Sequence, residues 1–518
     1  MKKSLLASAT SGLLLATAFP PWQLDLIVWI ALVPLLWSIR SCRTSTEAAL
    51  CGWVSGFFFF SVDVRWVYDT LTVHGHFSPY LSVVILFLMT ISLAFSTAVF
   101  GFLCRLACKS IAPGWVIFPT VWVSVEYART YALTGFPWDL LGYSLAQRLN
   151  LVQVADITGV YGLSFVIVFI NSVVLETFSK RNKSFYPLMT QIVLGIVLIT
   201  FCSVYGWYQL GRHAEESPSE NSSTIGILQG GIPQGVKWNE AYRSLTFNTY
   251  ENFAEQSVSA GAELLIWPET SVPVVIGGED LAWMRAMEIS SKLKTPMLIG
   301  APSQTDTRGE INFFNSAFLV NGSEILSGYD KIHLVPFGEY MPLGWLFPLG
   351  PGMAAREADF SPGANMTLMK PLDLPAFSVL ICYEAIFPDL SRLAVNNGAQ
   401  FLVNITNDGW FDSSSAPFQH LSMAKFRSIE NRVWLIRSAN TGISAAIDPA
   451  GRIVDSISLA ESGWINVKIP EQVNVGSLYT KYGDVFALSC IIIMTLTLVS
   501  ALIHKEKREG LQYDTIRH

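Results

Sequence analysis

The feature that most limits how this chain can fold is the spacing of its charges. Residues 1–210 and 484–503 hold long uncharged apolar runs, whereas 211–483 carries the scattered charge of an ordinary globular protein. Crossing roughly 30 Å of hydrocarbon takes about 20 mostly apolar residues, since inside lipid a helix satisfies its own backbone groups. Candidate spans fall near 4–20, 23–39, 46–62, 80–103, 112–128, 156–177, 187–208 and 484–503, which predicts a membrane α-helical bundle of about eight transmembrane helices. Only 14% of the residues are charged, against about 25% in a soluble protein, so the whole belongs in a membrane. Lys2-Lys3 before an apolar stretch also fits a signal peptide. However, Phe19-Pro20-Pro21-Trp22 is a poor small-residue cleavage site and a second apolar run follows at once, so a retained helix is expected.

Positive charge in the short loops orients the spans. If all eight are crossings, Lys2/Lys3, Arg40/Arg43, Arg105/Lys109, Lys180/Arg181/Lys183 and Lys505/Lys507/Arg508 share one side, which is then cytoplasmic together with both termini. The opposite loops, 63–79 and 129–155, carry mainly Arg65, Arg129 and Arg148. Three parts are expected: a seven-span bundle at 1–210, an exported α/β domain at 211–483, and a last helix with a cytoplasmic tail at 484–518. The formal charge of −6, with no extended basic run, excludes nucleic-acid binding, which needs clustered Lys and Arg to replace counterions.

Inside 211–483, short β-branched runs at 224–228, 263–267, 296–300, 315–320, 377–383 and 400–406 alternate with helical stretches near 240–258, 280–294, 386–397 and 417–432. That alternation predicts an α/β layout, with continuously apolar strands covered on both faces. Residues 301–372, dense in Gly, Pro and Asn, read as a long loop and hence a functional surface. The segment 230–235 is glycine-rich but lacks the Lys and hydroxyl of a phosphate loop, and reads as a turn. The 7 histidines form no H-E-x-x-H and this domain has no paired cysteines, so neither a metal site nor a cofactor is expected.

Reacting groups in such sheets sit just past the carboxyl ends of strands. Glu269 follows the run ELLIW through Pro268, and Cys382 closes the run FSVLI before a turn and a helix beginning near Phe387. Of the 7 cysteines, Cys42, Cys51, Cys104, Cys108, Cys202 and Cys490 lie in or beside spans, leaving Cys382 alone in the exported domain. Without a disulfide partner it is either a buried inert thiol or a reactive one. His333 is expected to be structural, and His420 to be a buried, hydrogen-bonded residue at a helix start.

Three stretches carry a known pattern: Trp267-Pro268-Glu269-Thr270, then 329–340 (YDKIHLVPFGEY), then Ile381-Cys382-Tyr383-Glu384. This resembles the carbon–nitrogen hydrolase (nitrilase) superfamily, which carries a Glu general base, a Lys that stabilises the oxyanion and a Cys nucleophile on an α-β-β-α sandwich. The further stretches 404–411 (NITNDGWF), Gln419-His420 and 437–442 (RSANTG) make it similar to the apolipoprotein N-acyltransferase branch, in which a multi-span bundle joins an external nitrilase-like domain and one more helix follows.

The resemblance implies a catalytic triad of Glu269, Lys331 and Cys382. Glu339, Tyr383 and Glu384 are implied in support, and Trp238, Asn315, Trp410 and Arg437 as further supporting or substrate-binding residues. It implies a bacterial inner-membrane protein with a periplasmic catalytic domain. A phospholipid would act as acyl donor and a diacylated apolipoprotein as acceptor, joined through a cysteine thioester in ping-pong order. Trp238, Phe337, Tyr340, Trp345, Phe347, Trp410 and Phe411 are candidates for an apolar entrance, with 345–347 as a membrane-dipping loop.

Two rival readings remain. A membrane-anchored nitrilase-type amidase would use the same triad, but a tether needs a single span. A transporter with an external binding domain would carry more charge inside its spans than Asp25, Glu47, Asp63 and Glu126 near their ends.

Overall fold

The computed structural model describes residues 1–178, 185–213, 222–237, 240–276, 281–307, 310–341, 359–470 and 476–516. The chain divides into two compact units, one of residues 1–72, 77–208 and 482–518, the other of 73–76 and 209–481.

The first unit is all helical. Among the described residues, four helices are long and apolar enough to cross a membrane: Pro79–Ala107, Val160–Phe178, Leu188–Arg212 and Val485–His504. Ser45–Asp63 with Trp66–His74, bent by 50°, makes a fifth if the pair is one span. The other expected spans take different forms. The run 4–20 becomes the 15-residue helix Lys2–Ala16. The run 23–39 breaks into Asp25–Ile27, Val28–Ala31 and Val33–Ser41. The break is stabilised by Asn171, whose Oδ1 accepts from Leu32 N and whose Nδ2 donates to Val28 O, both at 2.9 Å. The run 112–128 becomes Gly114–Tyr131, which carries Glu126 and Arg129 and an internal Pro119. Ser45–Asp63 packs on Pro79–Ala107 through glycines. A Cβ on Gly52 would lie 2.0 Å from Thr97 O, so only glycine permits that approach.

The second unit holds two sheets. In the first, β1 (Ser222–Gln229), β2 (Leu264–Ile266) and β3 (Met297–Thr307) run parallel, and β4 (Glu310–Asn321) and β5 (Glu324–Asp330) continue antiparallel. The second sheet holds β6 (Phe377–Ile381), β7 (Phe401–Thr406) and β8 (Trp434–Ala439), all parallel, then β9 (Ser444–Ile447) and β10 (Ile453–Ile457) antiparallel. The last strand, β11 (Gly463–Pro470), returns to the first sheet and pairs antiparallel with β1.

Every residue of β6, β7 and β8 is buried, as parallel strands covered on both faces require. The sheets face each other, joined where Ser438 Oγ donates to Leu228 O at 2.8 Å and Gln229 Oε1 accepts from Ser444 N at 3.0 Å. Helices Glu240–Ser259 and Leu281–Leu293 cover the first sheet, and Pro388–Asn396 and Ala416–Asn431 the second. This is the expected α-β-β-α sandwich. Its outer core packs Phe247, Tyr250, Trp267, Trp283 and Ile299, with the Tyr250 and Trp267 rings stacked 4.7 Å apart.

One expectation about this unit changes. Much of 301–372 is not loop, since β3 runs on to Thr307 and β4 and β5 follow as a meander. Polar residues there lie on the strands themselves, some exposed, such as Thr305 and Glu324, and others buried, such as Ser303, Asn315 and Ser316.

Candidate active site

Three strand ends deliver the reactive side chains. β2 stops at Ile266, and Trp267-Pro268 carries the chain on so that Glu269 leaves its carboxyl end. β5 stops at Asp330, and the next amide, of Lys331, donates to Asn315 O at 2.8 Å. β6 stops at Ile381, so the strand expected over 377–383 is shorter and Cys382 opens the 3-10 turn Cys382–Ile386.

These strand ends bring Glu269, Lys331, Glu339 and Asn315 together. Lys331 Nζ lies 2.9 Å from Glu339 and 4.0 Å from Glu269 Oε1. Asn315 Nδ2 donates to Glu269 Oε1 and to Glu339 Oε1, each at 2.8 Å, so one amide bridges the two carboxylates. Glu339 also accepts from Val335 N at 2.8 Å. All four side chains are buried, Lys331 at 1% exposure. Burial alone would lower the Lys331 ammonium, but the charge of Glu339, then Cys382 when ionised and Glu269, outweighs it and holds the group protonated. Burial likewise pushes Glu339 up, and Lys331 outweighs it, keeping the carboxylate below its ordinary range.

Cys382 is buried, and its thiol is pushed up by burial and by Glu269, with Lys331 opposing. A thiol in this position keeps its proton until a base takes it. Its backbone is held at φ 51°, in the left-handed region, where a non-glycine residue costs about 1–3 kcal/mol. The surroundings impose that conformation. The Cys382 carbonyl accepts from His420 Nε2 at 3.1 Å and from Asn404 Nδ2 at 3.4 Å.

Glu384 fixes the turn from the other side. Its Oε2 accepts from Ile381 N at 2.7 Å, and its Oε1 from Tyr329 Oη at 2.8 Å, Ile332 N at 2.7 Å and His333 N at 3.1 Å. One buried carboxylate thus ties the segment after Lys331 to the turn that carries Cys382. Tyr383 packs its ring 5.2 Å from Phe387, and His333 lies 3.7 Å from the same ring.

The remaining predicted residues divide. Arg437 lies deep in the second sheet, where its NH2 reaches Asp408 Oδ2 at 2.6 Å, its NH1 bonds Asn404 and its Nε donates to Ile443 O at 3.2 Å. It supports the floor of the site and not an open surface. His420 Nδ1 lies 3.1 Å from Arg437 NH2 and from Asp408 Oδ1, and Thr406 Oγ1 donates to Asp408 Oδ1 at 2.9 Å. Burial and Arg437 lower His420, and a carbonyl can only accept, so its Nε2 carries the proton facing Cys382 O. Trp410 is half-buried, its ring centroid 5.8 Å from that of His74 in an edge-on arrangement. Phe337, at φ 62°, is 74% exposed, and Tyr340 and Phe411 are half-buried. Trp238, Trp345 and Phe347, with the expected membrane-dipping loop, lie outside the described residues.

Lys237 was not singled out by sequence. It ends the short helix Gln234–Lys237, is 3% exposed, and donates from Nζ to Glu269 O at 3.0 Å. A lone lysine in Gln-Gly-Val-Lys reads as a surface cation. Nor did sequence show the path from Arg437 through Asp408 and His420 to Cys382.

Among the described residues no group of three or more His, Cys, Asp or Glu is arranged to hold a metal ion.

Comparison with known proteins places both units. The description "Apolipoprotein N-acyltransferase N-terminal domain" matches residues 11–173, and "Carbon-nitrogen hydrolase" matches 224–474. An apolipoprotein N-acyltransferase of Geobacter metallireducens is 36% identical over 98% of this chain and 96% of its own length. One from Rickettsia bellii is 30% identical over 98% of this chain and 99% of its own. A solved mutant amidase of the nitrilase superfamily from Nesterenkonia is 21% identical, with a TM-score of 0.38, over 49% of this chain and 93% of its own.

Proposed function

Because the chain belongs to the apolipoprotein N-acyltransferase family, we propose that its acyl transfer runs through a thioester on Cys382, with Glu269 as base and Lys331 as the cation for the oxyanion. The observation that carries this reading is the arrangement of Lys331 Nζ, 4.0 Å from Glu269, with both groups within electrostatic reach of a protonated Cys382.

In the first half-reaction Glu269 takes the Cys382 proton as Sγ attacks the carbonyl carbon of a phospholipid ester. The negative charge that develops on the carbonyl oxygen falls near Lys331, and removing one such stabilising donor typically costs about 3 kcal/mol. Collapse expels the lysophospholipid alkoxide, which takes the proton back from Glu269 and leaves the acyl group on sulfur. In the second half-reaction the amino terminus of a diacylglyceryl-cysteine apolipoprotein gives a proton to Glu269 as its nitrogen attacks the thioester. Sγ then leaves and recovers that proton, and the product is an amide. Two large lipids thus need not occupy one pocket together.

We place residues 211–483 in the periplasm, both termini in the cytoplasm and the bundle in the inner membrane. The apolar helices and the alternation of basic residues support this, with Lys2–Ala16, the broken run Asp25–Ser41 and Gly114–Tyr131 completing eight crossings.

The test is partition of product. The purified protein is incubated with phospholipid vesicles and a diacylated lipopeptide, and the fate of a labelled acyl chain is followed. Amide on the lipopeptide, absent in Glu269→Gln and Lys331→Met, is expected. Free fatty acid as the main product would favour a hydrolase and contradict the reading.

A further inference from the structure

We propose that Lys237 is a positioning residue for this reaction: clamped on the Glu269 main chain, its ammonium supplies the positive charge that balances the second carboxylate and lets Cys382 release its proton. The inference rests on the triad reading above.

The clamp is built from both sheets. The segment before Lys237 is pinned to the ends of β7 and β8. Gly231 N donates to Asn440 O at 2.8 Å, Asn440 Nδ2 donates to Asn407 Oδ1 at 3.0 Å, and Asn407 Nδ2 donates to Gln234 Oε1 at 2.8 Å. The Lys237 side chain has little room to move, and its hydrogen bond fixes the carbonyl of the residue that must face the thiol.

Charge gives the second reason. A base must be ionised, so Glu269 and Glu339 set two negative charges against the single ammonium of Lys331. When Glu269 takes the thiol proton the second negative charge moves to Sγ, and it still faces the single ammonium of Lys331. Lys237 lies within electrostatic reach of both Glu269 and Cys382, and with it the buried charges balance before the thiol ionises. Among the described residues it forms no ion pair, and holding an ammonium out of water costs several kcal/mol per ion, which its hydrogen bond to Glu269 O and the negative charge nearby must offset. Burial brings its pKa down to about 8, with Glu269 and Cys382 opposing the fall. Besides Lys237, the charged groups that act on Cys382 are Glu269, Lys331 and Asp408, with His420 at its carbonyl.

The experiment uses the full chain in detergent at pH 7, where Lys237 carries its proton, and reads two things: the rate of Cys382 alkylation by iodoacetamide, and the rate of acyl adduct formation from phosphatidylethanolamine vesicles. Lys237→Met removes charge and clamp, Lys237→Gln keeps a donor without charge, and Lys237→Arg keeps the charge. Met and Gln are expected to slow both about tenfold, as loss of a nearby opposite charge does. Arg is expected to restore both rates. A Met or Gln variant that melts like the wild type and alkylates at its rate would overturn the inference, as would an Arg variant no better than Gln. An adduct on some residue other than Cys382 in the wild type would defeat the thioester reading itself. An adduct on Cys382 with unmoved rates would defeat the Lys237 inference alone.

Discussion

Asn315→Leu isolates the hydrogen bond that aims the base. The two side chains are similar in size, so the cavity or strain left behind is small. Among the described residues the Asn315 Oδ1 has no hydrogen-bond partner, so leucine deprives no described buried donor of its acceptor. What disappears is the pair of 2.8 Å hydrogen bonds from Nδ2 to Glu269 and Glu339. A hydrogen bond to a charged group contributes about 1.5–3 kcal/mol. At about 1.4 kcal/mol per decade of rate, losing the one on Glu269 slows thioester formation roughly 10- to 150-fold. The lower end applies if Lys331, 4.0 Å away, swings toward Glu269 in compensation. Single-turnover acylation by a fluorescent phospholipid, with a thermal melt as control, measures this. A folded Asn315→Leu protein that acylates within twofold of the wild type would refute the view that this amide positions the base.

Other substitutions probe the frame around the site. Asp408→Asn leaves Arg437 buried without its 2.6 Å partner and should cost about 3–5 kcal/mol in denaturant unfolding at neutral pH. Burial pushes the Asp408 carboxyl up, but Arg437 and His420 outweigh it and hold it well below its ordinary 3.8. The wild type therefore keeps this stabilisation above pH ~4 and loses it as pH falls through the depressed value, so the gap to the variant should narrow in acid. A gap that widens in acid contradicts the ion-pair assignment. Gly300→Ala would set a methyl 2.6 Å from Pro268 O and 2.8 Å from the Glu269 Cα, displacing the base for an overpacking cost of about 1–3 kcal/mol. It should lower the acylation rate more than ten-fold while the thermal melt shifts only modestly. Equal activity would mean that the Glu269 backbone need not be held where it is.

The parts legible in sequence were those whose reason is local. Continuous apolar runs such as Val379-Leu380-Ile381 mark strands buried on both faces, and Pro268 and the turn after Cys382 mark where reactive groups leave them. What sequence does not show is partnership across distance. Asn315 reads as a strand residue until Glu269 and Glu339 close on it from 46 and 24 residues away. Lys237 reads as a surface cation until the carbonyl of Glu269, 32 residues on, covers it. The broken stretch 25–41 is apolar from Leu26 to Trp37, and the contact that sustains its break comes from Asn171, more than a hundred residues later. Arg437 sits between the apolar run Trp434-Leu435-Ile436 and the small residues Ser438-Ala439 in sequence, and only the pairing of β7 with β8 turns it into a buried partner for Asp408.

The central claim is that one buried sulfur carries the acyl chain between donor and acceptor. Intact-mass and peptide mass spectrometry of the protein incubated with phospholipid and no acceptor tests it most directly. A single acyl adduct on Cys382 is predicted, absent in Cys382→Ser and discharged when a diacylated lipopeptide is added. An adduct elsewhere, or turnover with no adduct on Cys382 at any time, would contradict the account.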